Sequence, residues 1–141
     1  MTQEIHFILY VKNQQRSTVF YAELLKMDPI LDVPGMSEFQ LSEYCKLGIM
    51  PEQGIANIIT PKMPHPELGN GFPRCELYLK VDNVETYYNR ALMLGAKEIN
   101  PIKNREWGDS AGYISDMNGH VIAFAKTVNE TATRSEKLDK V

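Results

Sequence analysis

Two similar segments 70 residues apart constrain the fold of this chain more than any other feature of its sequence. The run "IHFILYVKN" (5–13) and the run "CELYLKVDN" (75–83) are each followed by an amphipathic segment. Each run has the apolar character of a strand and ends in an asparagine, Asn13 or Asn83. Asparagine favours the start of a helix because its side-chain oxygen accepts hydrogen bonds from the free amides of the first turn. The repeat therefore predicts two strand–helix units.

Three short strands are predicted after each helix. The turn "DMNG" (116–119) carries Asn-Gly, a strong hairpin signal, and "SEYC" (42–45) is taken as its counterpart of equal length, 74 residues earlier. Each copy is thus a β-α-β-β-β module, and the modules span residues 4–50 and 74–126. The strands are expected near residues 30–33, 38–42, 46–50, 98–101, 112–115 and 120–125.

The segment between the modules, residues 51–73, is rich in proline and glycine. Proline interrupts both helices and strand ladders, so the sequence predicts a crossover linker without regular structure. The polar tail, residues 127–141, is expected to be frayed. The modules and their linker are interpreted as a single domain, residues 1–126.

Composition excludes several classes of function. Apolar residues make up 43% and charged residues 23% of the chain, its net charge is −3, and Lys and Arg are scattered rather than clustered. No basic face for nucleic acid, no membrane-spanning run and no signal peptide is predicted. The two cysteines, Cys45 and Cys75, lack metal-binding spacing and are expected to be reduced, which indicates a cytoplasmic location.

The paired modules resemble the vicinal oxygen chelate superfamily, which includes glyoxalase I, extradiol dioxygenases and the bleomycin-resistance proteins. The resemblance covers residues 4–126, and its most specific segments are "VKNQQRSTVFYAELL", "KLGIMPE" and "WGDSAGYISDMNGHVIAFA". Met117 replaces the proline that is usual in the last of these. The resemblance implies an α+β fold in which two βαβββ modules pair into an open, eight-stranded, barrel-like cleft with the helices outside.

The resemblance also implies a divalent metal ion held by one residue from the first and one from the last strand of each module. The matching positions are His6, Ile49, Glu76 and Ala123. Two of these are hydrocarbon residues, whereas a catalytic zinc ion usually has about three protein ligands. We therefore expect no metal cofactor; if an ion binds, His6 and Glu76 are the expected ligands.

Tyrosine and tryptophan side chains are expected on the walls of the cleft. Strand alternation turns Tyr10 and Tyr78 inward, and Trp107 precedes the closing hairpin at the mouth. Aromatic walls with polar tips suit a planar or amphipathic small molecule. Alternatively, the tyrosines pack against each other or a dimer partner, and Trp107 covers the end of the barrel.

Charged residues on the same walls have two interpretations. A carboxylate such as Glu76 is costly on a partly apolar wall unless it meets water or a partner. That partner is either His6 or Lys80 within the protein, or a polar group of a guest molecule.

These patterns predict a homodimeric small-molecule binding protein that sequesters its guest without a catalytic metal; the dimer is implied by the bleomycin-resistance proteins, whose grooves include residues of both subunits. The alternative is a metal-dependent glyoxalase-like lyase or isomerase, or a dioxygenase. A third possibility is a domain that acts through protein contacts. No catalytic residue is assigned. The expected ligand-binding residues are His6, Tyr10, Ile49, Glu76, Tyr78, Lys80, Trp107 and Ala123.

Overall fold

The computed structural model describes residues 1–128, so most of the tail for which fraying was predicted lies outside the described residues. The chain divides into two compact units, Met1–Phe72 and a second that begins at Pro73. The first contains β1 (Ile5–Val11), α1 (Gln14–Leu25), β2 (Leu31–Val33), β3 (Met36–Ser42), β4 (Cys45–Pro51), α2 (Glu52–Ile59) and a short 3-10 helix (Pro66–Gly69). The second contains β5 (Glu76–Lys80), α3 (Val84–Met93), β6 (Lys97–Asn104), β7 (Asp109–Ser115) and β8 (Val121–Thr127).

Each unit contains one four-stranded sheet, and the two sheets have the same topology. The strand orders are β1-β4-β3-β2 and β5-β8-β7-β6. In each sheet the first strand is parallel to the last, and the remaining pairs are antiparallel. A parallel pair needs a long crossover connection, which the helix and the two intervening strands supply. The predicted β-α-β-β-β modules are confirmed.

The two predicted helix starts are also confirmed. The Asn13 side chain accepts from the amide of Arg16 at 2.9 Å, and that of Asn83 accepts from the amide of Thr86 at 3.1 Å. These bonds satisfy amides that have no partner within the helix.

One face of each sheet is covered by its helix and forms the core of the unit. In the first unit this face includes Ser37, whose hydroxyl accepts a 2.8 Å hydrogen bond from Thr18 of α1. In the second, Tyr87 of α3 lies 5.7 Å from Phe124, measured between ring centroids. The fully buried core side chains include Leu24, Phe39, Leu47, Ile49, Ala91, Ile114, Ile122 and Phe124. We call the opposite side of each sheet its open face.

The linker between the modules is more ordered than its prolines predict. It contains α2 and the 3-10 helix, so the expectation of a crossover without regular structure is wrong. Pro51 caps α2, where a missing amide hydrogen costs nothing, and the next proline, Pro61, comes only after the helix has ended. The helix packs against β4 and β1 and buries Ala56.

Among residues 1–128, no helix is both long enough and apolar enough to span a membrane.

Candidate functional site

The open face of the second sheet gathers several of the predicted site residues. Strand pairing sets Tyr78 beside Ala123, and Lys80 beside Ala125. Tyr113 of β7 pairs with Ala123 from the other side. Paired residues on neighbouring strands share a face, so small alanines lie between the larger tyrosine and lysine side chains.

Asp109 is the hub of this face. Its carboxylate accepts a 2.5 Å hydrogen bond from the Tyr78 hydroxyl and a 2.9 Å bond from the Lys80 ammonium. The indole N–H of Trp107 donates to the Tyr78 oxygen at 2.9 Å, and Lys80 also donates to the Thr127 hydroxyl. We call these five residues the Asp109 cluster. It brings together the predicted residues Tyr78, Lys80 and Trp107.

The contacts of the cluster shift two pKa values in opposite directions. Burial, together with the hydrogen bond to Asp109 and the charge of that carboxylate, raises the pKa of Tyr78 to about 12. Burial disfavours the charged form of Asp109, but the hydrogen bonds from Tyr78 and Lys80 outweigh this and lower its pKa. At neutral pH the cluster therefore holds a neutral phenol and an ionised carboxylate paired with the lysine.

Trp107 is positioned by the loop between β6 and β7. Arg105 fastens this loop by donating to the carbonyl oxygens of Pro101 and Ala111, both at 2.8 Å. Gly108 follows with a φ of +97°, which is strained for other residue types, so the chain turns there into β7. The loop leaves Trp107 51% exposed while its N–H binds inside the cluster.

The open face of the first sheet is charged rather than aromatic. His6 Nε2 lies 2.9 Å from Glu4 and its Nδ1 lies 3.6 Å from Glu38, while Lys46 lies 3.3 Å from Glu4. The hydrogen bond to His6, followed by the one to Lys46, lowers the pKa of Glu4. Tyr10 lies farther along β1, on the same face as His6.

Ile49 does not belong with these residues, and its assignment to the cleft wall is a correction. It pairs with Leu9 and Ser37, and Ser37 bonds to α1, so Ile49 points into the core. Within its own sheet, the counterpart of Ala123 is Gly48. This follows because Ala123 pairs with Tyr78, which corresponds to Ile8, and Ile8 pairs with Gly48.

The turns explain this one-residue error. Equal lengths were assumed for "SEYC" and "DMNG", but only two residues separate β3 from β4, whereas five separate β7 from β8. The Asp116 side chain holds the longer loop by accepting from the amides of Asn118 and His120, each at 2.9 Å.

Glu76 and Asp109 exchange the roles that the sequence suggested. Glu76 is exposed at the start of β5, and the ammonium of Lys80 bonds to Asp109 instead. The sequence analysis did not include Asp109 among the site residues. Its signal was strand alternation: Asp109 lies two and four residues before Ala111 and Tyr113, on the face that carries Tyr78.

Possible metal ligands are distributed differently from the family pattern. Within residues 1–128, the group of three acidic or histidine side chains whose ligand atoms lie within 4.8 Å of one another is Glu52, His65 and Glu67. It includes neither His6 nor Glu76.

Similarity to solved structures agrees with this architecture. A glyoxalase-related enzyme from Fulvimarina pelagi has a TM-score of 0.76 at 19% identity, covering 90% of this chain and 89% of its own. The protein ATC0852 from Agrobacterium tumefaciens has a TM-score of 0.71 at 26% identity, covering 92% and 100%. TnmS3, an antibiotic-binding protein from Streptomyces sp. CB03234, has a TM-score of 0.65 at 22% identity, covering 91% and 98%.

Curated proteins provide no match to this sequence. The profile of one family does match, over residues 5–124, and both sheets with their helices fall within that range. The chain belongs to the Glyoxalase/Bleomycin resistance protein/Dioxygenase superfamily.

Proposed function

We propose that the protein binds a planar, partly polar small molecule at the Asp109 cluster and sequesters it without a catalytic metal ion. The observation that carries this proposal is the bond from the half-exposed Trp107 to Tyr78, which joins an aromatic surface to a buried charged network. Such a combination gives a guest both a stacking surface and directional hydrogen bonds.

The charges of the cluster define what the guest must offer. Asp109 is 8% exposed and engaged by Tyr78 and Lys80, whereas the Lys80 side chain is 50% exposed. The accessible charge is therefore the ammonium. A guest with an anionic or carbonyl oxygen beside its ring suits Lys80, while its ring lies against Trp107. One similar structure is that of an antibiotic-binding protein, and aromatic antibiotics carry such groups.

A metal-free site is supported by the residues at two open-face positions on the closing strands. Gly48 and Ala123 carry no ligand atom. Glu76 and His6 would then be left to complete most of the coordination with water.

We propose further that the protein is a homodimer. β1 is an edge strand, and its apolar side chains Ile5, Phe7 and Ile8 are all exposed. An uncovered apolar edge favours association, and a second copy of the chain would cover it.

Trp107 fluorescence tests the binding proposal because the chain has a single tryptophan. Titrating a panel of planar aromatic acids and aromatic antibiotics should give a saturable change with at least one compound. Removing one hydrogen-bonding group, in Tyr78→Phe or Lys80→Met, should weaken that compound about 5- to 20-fold, the equivalent of about 1–2 kcal/mol. Tyr44→Phe, at an exposed tyrosine outside the cluster, is the matched control and should bind normally.

Two results would contradict the proposal. One is a panel in which no compound changes the fluorescence or raises the melting temperature, since a guest that binds only the folded protein must stabilise it. The other is binding that disappears on adding a chelator, which would favour the metal-dependent lyase, isomerase or dioxygenase.

A further inference from the structure

We propose that Glu52, His65 and Glu67 form a binding site for a divalent transition-metal ion of the zinc type. One ligand atom from each side chain lies within 4.8 Å of the other two. Glu52 begins α2, and His65 and Glu67 lie at the start of the 3-10 helix, so the site joins the two helical segments of the linker. It is separate from the Asp109 cluster and from the strand positions at which the family pattern implies a metal.

The strongest evidence is an unsatisfied atom. Glu52 is 5% exposed, and its Oε1 is a buried oxygen without a hydrogen-bond partner. Burying a carboxylate oxygen without a partner costs free energy that a neutral alanine or leucine would avoid. A bound cation would supply the missing partner.

No protein cation takes this role. Among the ion pairs found in residues 1–128, none includes Glu52 or Glu67; the carboxylates that are paired with Lys or His are Glu4, Glu23, Glu38 and Asp109. Two carboxylates beside one imidazole thus have a net charge that suits a divalent ion.

His65 is held in the orientation and tautomer that a metal ligand needs. Gln53 donates its amide N–H to Asn57 at 2.9 Å, which leaves its oxygen facing His65 Nε2 at 3.4 Å. Nδ1 accepts from the amide of Glu67 at 3.2 Å. Both contacts fit the tautomer with hydrogen on Nε2 and the lone pair on Nδ1.

Metal-binding histidines commonly donate their other ring N–H to a neighbouring oxygen, as His65 does to Gln53. The ion would take the Nδ1 lone pair in place of the long hydrogen bond from Glu67.

The donor set selects the type of ion. Mg²⁺ and Ca²⁺ prefer all-oxygen sites, whereas one imidazole with two carboxylates suits Zn²⁺ and its neighbours. Ligands about 2.1 Å from a tetrahedral ion lie about 3.4 Å apart, so the side chains must close by roughly 1 Å. Glu67 is exposed and can rotate to do so. Three protein ligands would leave a fourth position for water.

Calorimetric titration with Zn²⁺ tests the site. The full-length protein should bind one equivalent, and Glu52→Gln and His65→Gln should each weaken binding at least tenfold. Glu43→Gln, at an exposed glutamate in the β3–β4 turn, is the matched control. Cys75 is an exposed free thiol that also attracts Zn²⁺, so every titration is repeated in Cys75→Ser. Mg²⁺ should bind far more weakly than Zn²⁺.

Melting temperatures separate metal binding from a structural role. Without metal, Glu52→Gln should be at least as stable as the wild type, because it removes a buried unpaired charge. With Zn²⁺, only proteins that retain the site should be stabilised. The proposal is overturned if the wild type fails to bind one equivalent, or if Glu52→Gln and His65→Gln bind Zn²⁺ as the wild type does.

Discussion

At the scale of single residues, Asp109 and Tyr78 show how a hydrogen bond can set two protonation states together. The phenol donates to a carboxylate that is already paired with Lys80, so ionising the phenol would place two negative charges beside each other. Burial adds to this cost and is the larger cause of the raised pKa of Tyr78. The pair keeps a neutral donor and an anion side by side in one site.

Tyr78 should therefore lose its proton only in strong alkali. Its pKa in the folded protein is about 12, above the ordinary value of 10.0. A group whose pKa is raised by folding stabilises the fold below the ordinary value, and that stabilisation is lost as the pH rises from 10 toward 12. Because Trp107 donates to the Tyr78 oxygen, its fluorescence should report this ionisation with a midpoint near pH 12.

Two variants assign that transition. Tyr78→Phe should abolish it, whereas Tyr88→Phe should leave it, since Tyr88 also has a pKa of about 12 but bonds to the carbonyl of Asn100 instead. Circular dichroism over the same pH range controls for unfolding. A wild-type midpoint near pH 10 would contradict the geometry of the Asp109 cluster.

At the scale of elements, the sequence predicted what is repeated and missed what differs between the copies. The two asparagine-capped helices and the order of the strands follow from local patterns that each copy contains independently. The face of Ile49 could not be predicted the same way, because it depends on the lengths of two turns, and a shift of one residue reverses every side chain of a strand. Asp109 was missed because its importance comes from partners on β5 and β8.

Helix α3 packs so closely on β7 that one glycine should be irreplaceable. A Cβ on Gly112 would lie 2.7 Å from Ile102 and 2.7 Å from the buried ring of Tyr88. Gly112→Ala should therefore destabilise the protein by about 1–3 kcal/mol in urea unfolding, since a packed core adapts poorly to added volume.

Gly54→Ala is the matched control within the same chain. Gly54 lies inside α2, and a Cβ there would meet its nearest side-chain atoms at 3.9 Å and 4.0 Å, which is ordinary contact. It should stabilise the protein by about 0.5–1 kcal/mol, because alanine favours a helix. Equal effects of the two substitutions would show that α3 does not pack closely at Gly112.

At the scale of the whole molecule, the two units share a topology but not a chemistry. The open face of the first sheet carries His6 among acidic and basic side chains, and that of the second carries the Asp109 cluster. The fold is common to the superfamily and does not decide function, so the difference between these faces must supply it. The proposed binding site uses the second face, and the proposed dimer uses the edge of the first sheet.

The dimer can be tested by charging that edge. Phe7 is 48% exposed on β1, and Phe7→Lys should convert a dimeric protein to monomers in light scattering coupled to size-exclusion chromatography. Val19→Lys places the same charge on an exposed position of α1 and should remain dimeric. A wild-type protein that is monomeric at micromolar concentration would contradict the proposal.

Lys80 has a second bond with a consequence of its own. Its ammonium reaches both Asp109 and the hydroxyl of Thr127, the last residue of β8. A guest that draws the ammonium toward itself must weaken this second bond, so the final rung of the sheet would loosen when the site fills. Occupancy would then be legible as faster hydrogen exchange at the point where the chain leaves the sheet, some distance along the backbone from the guest itself.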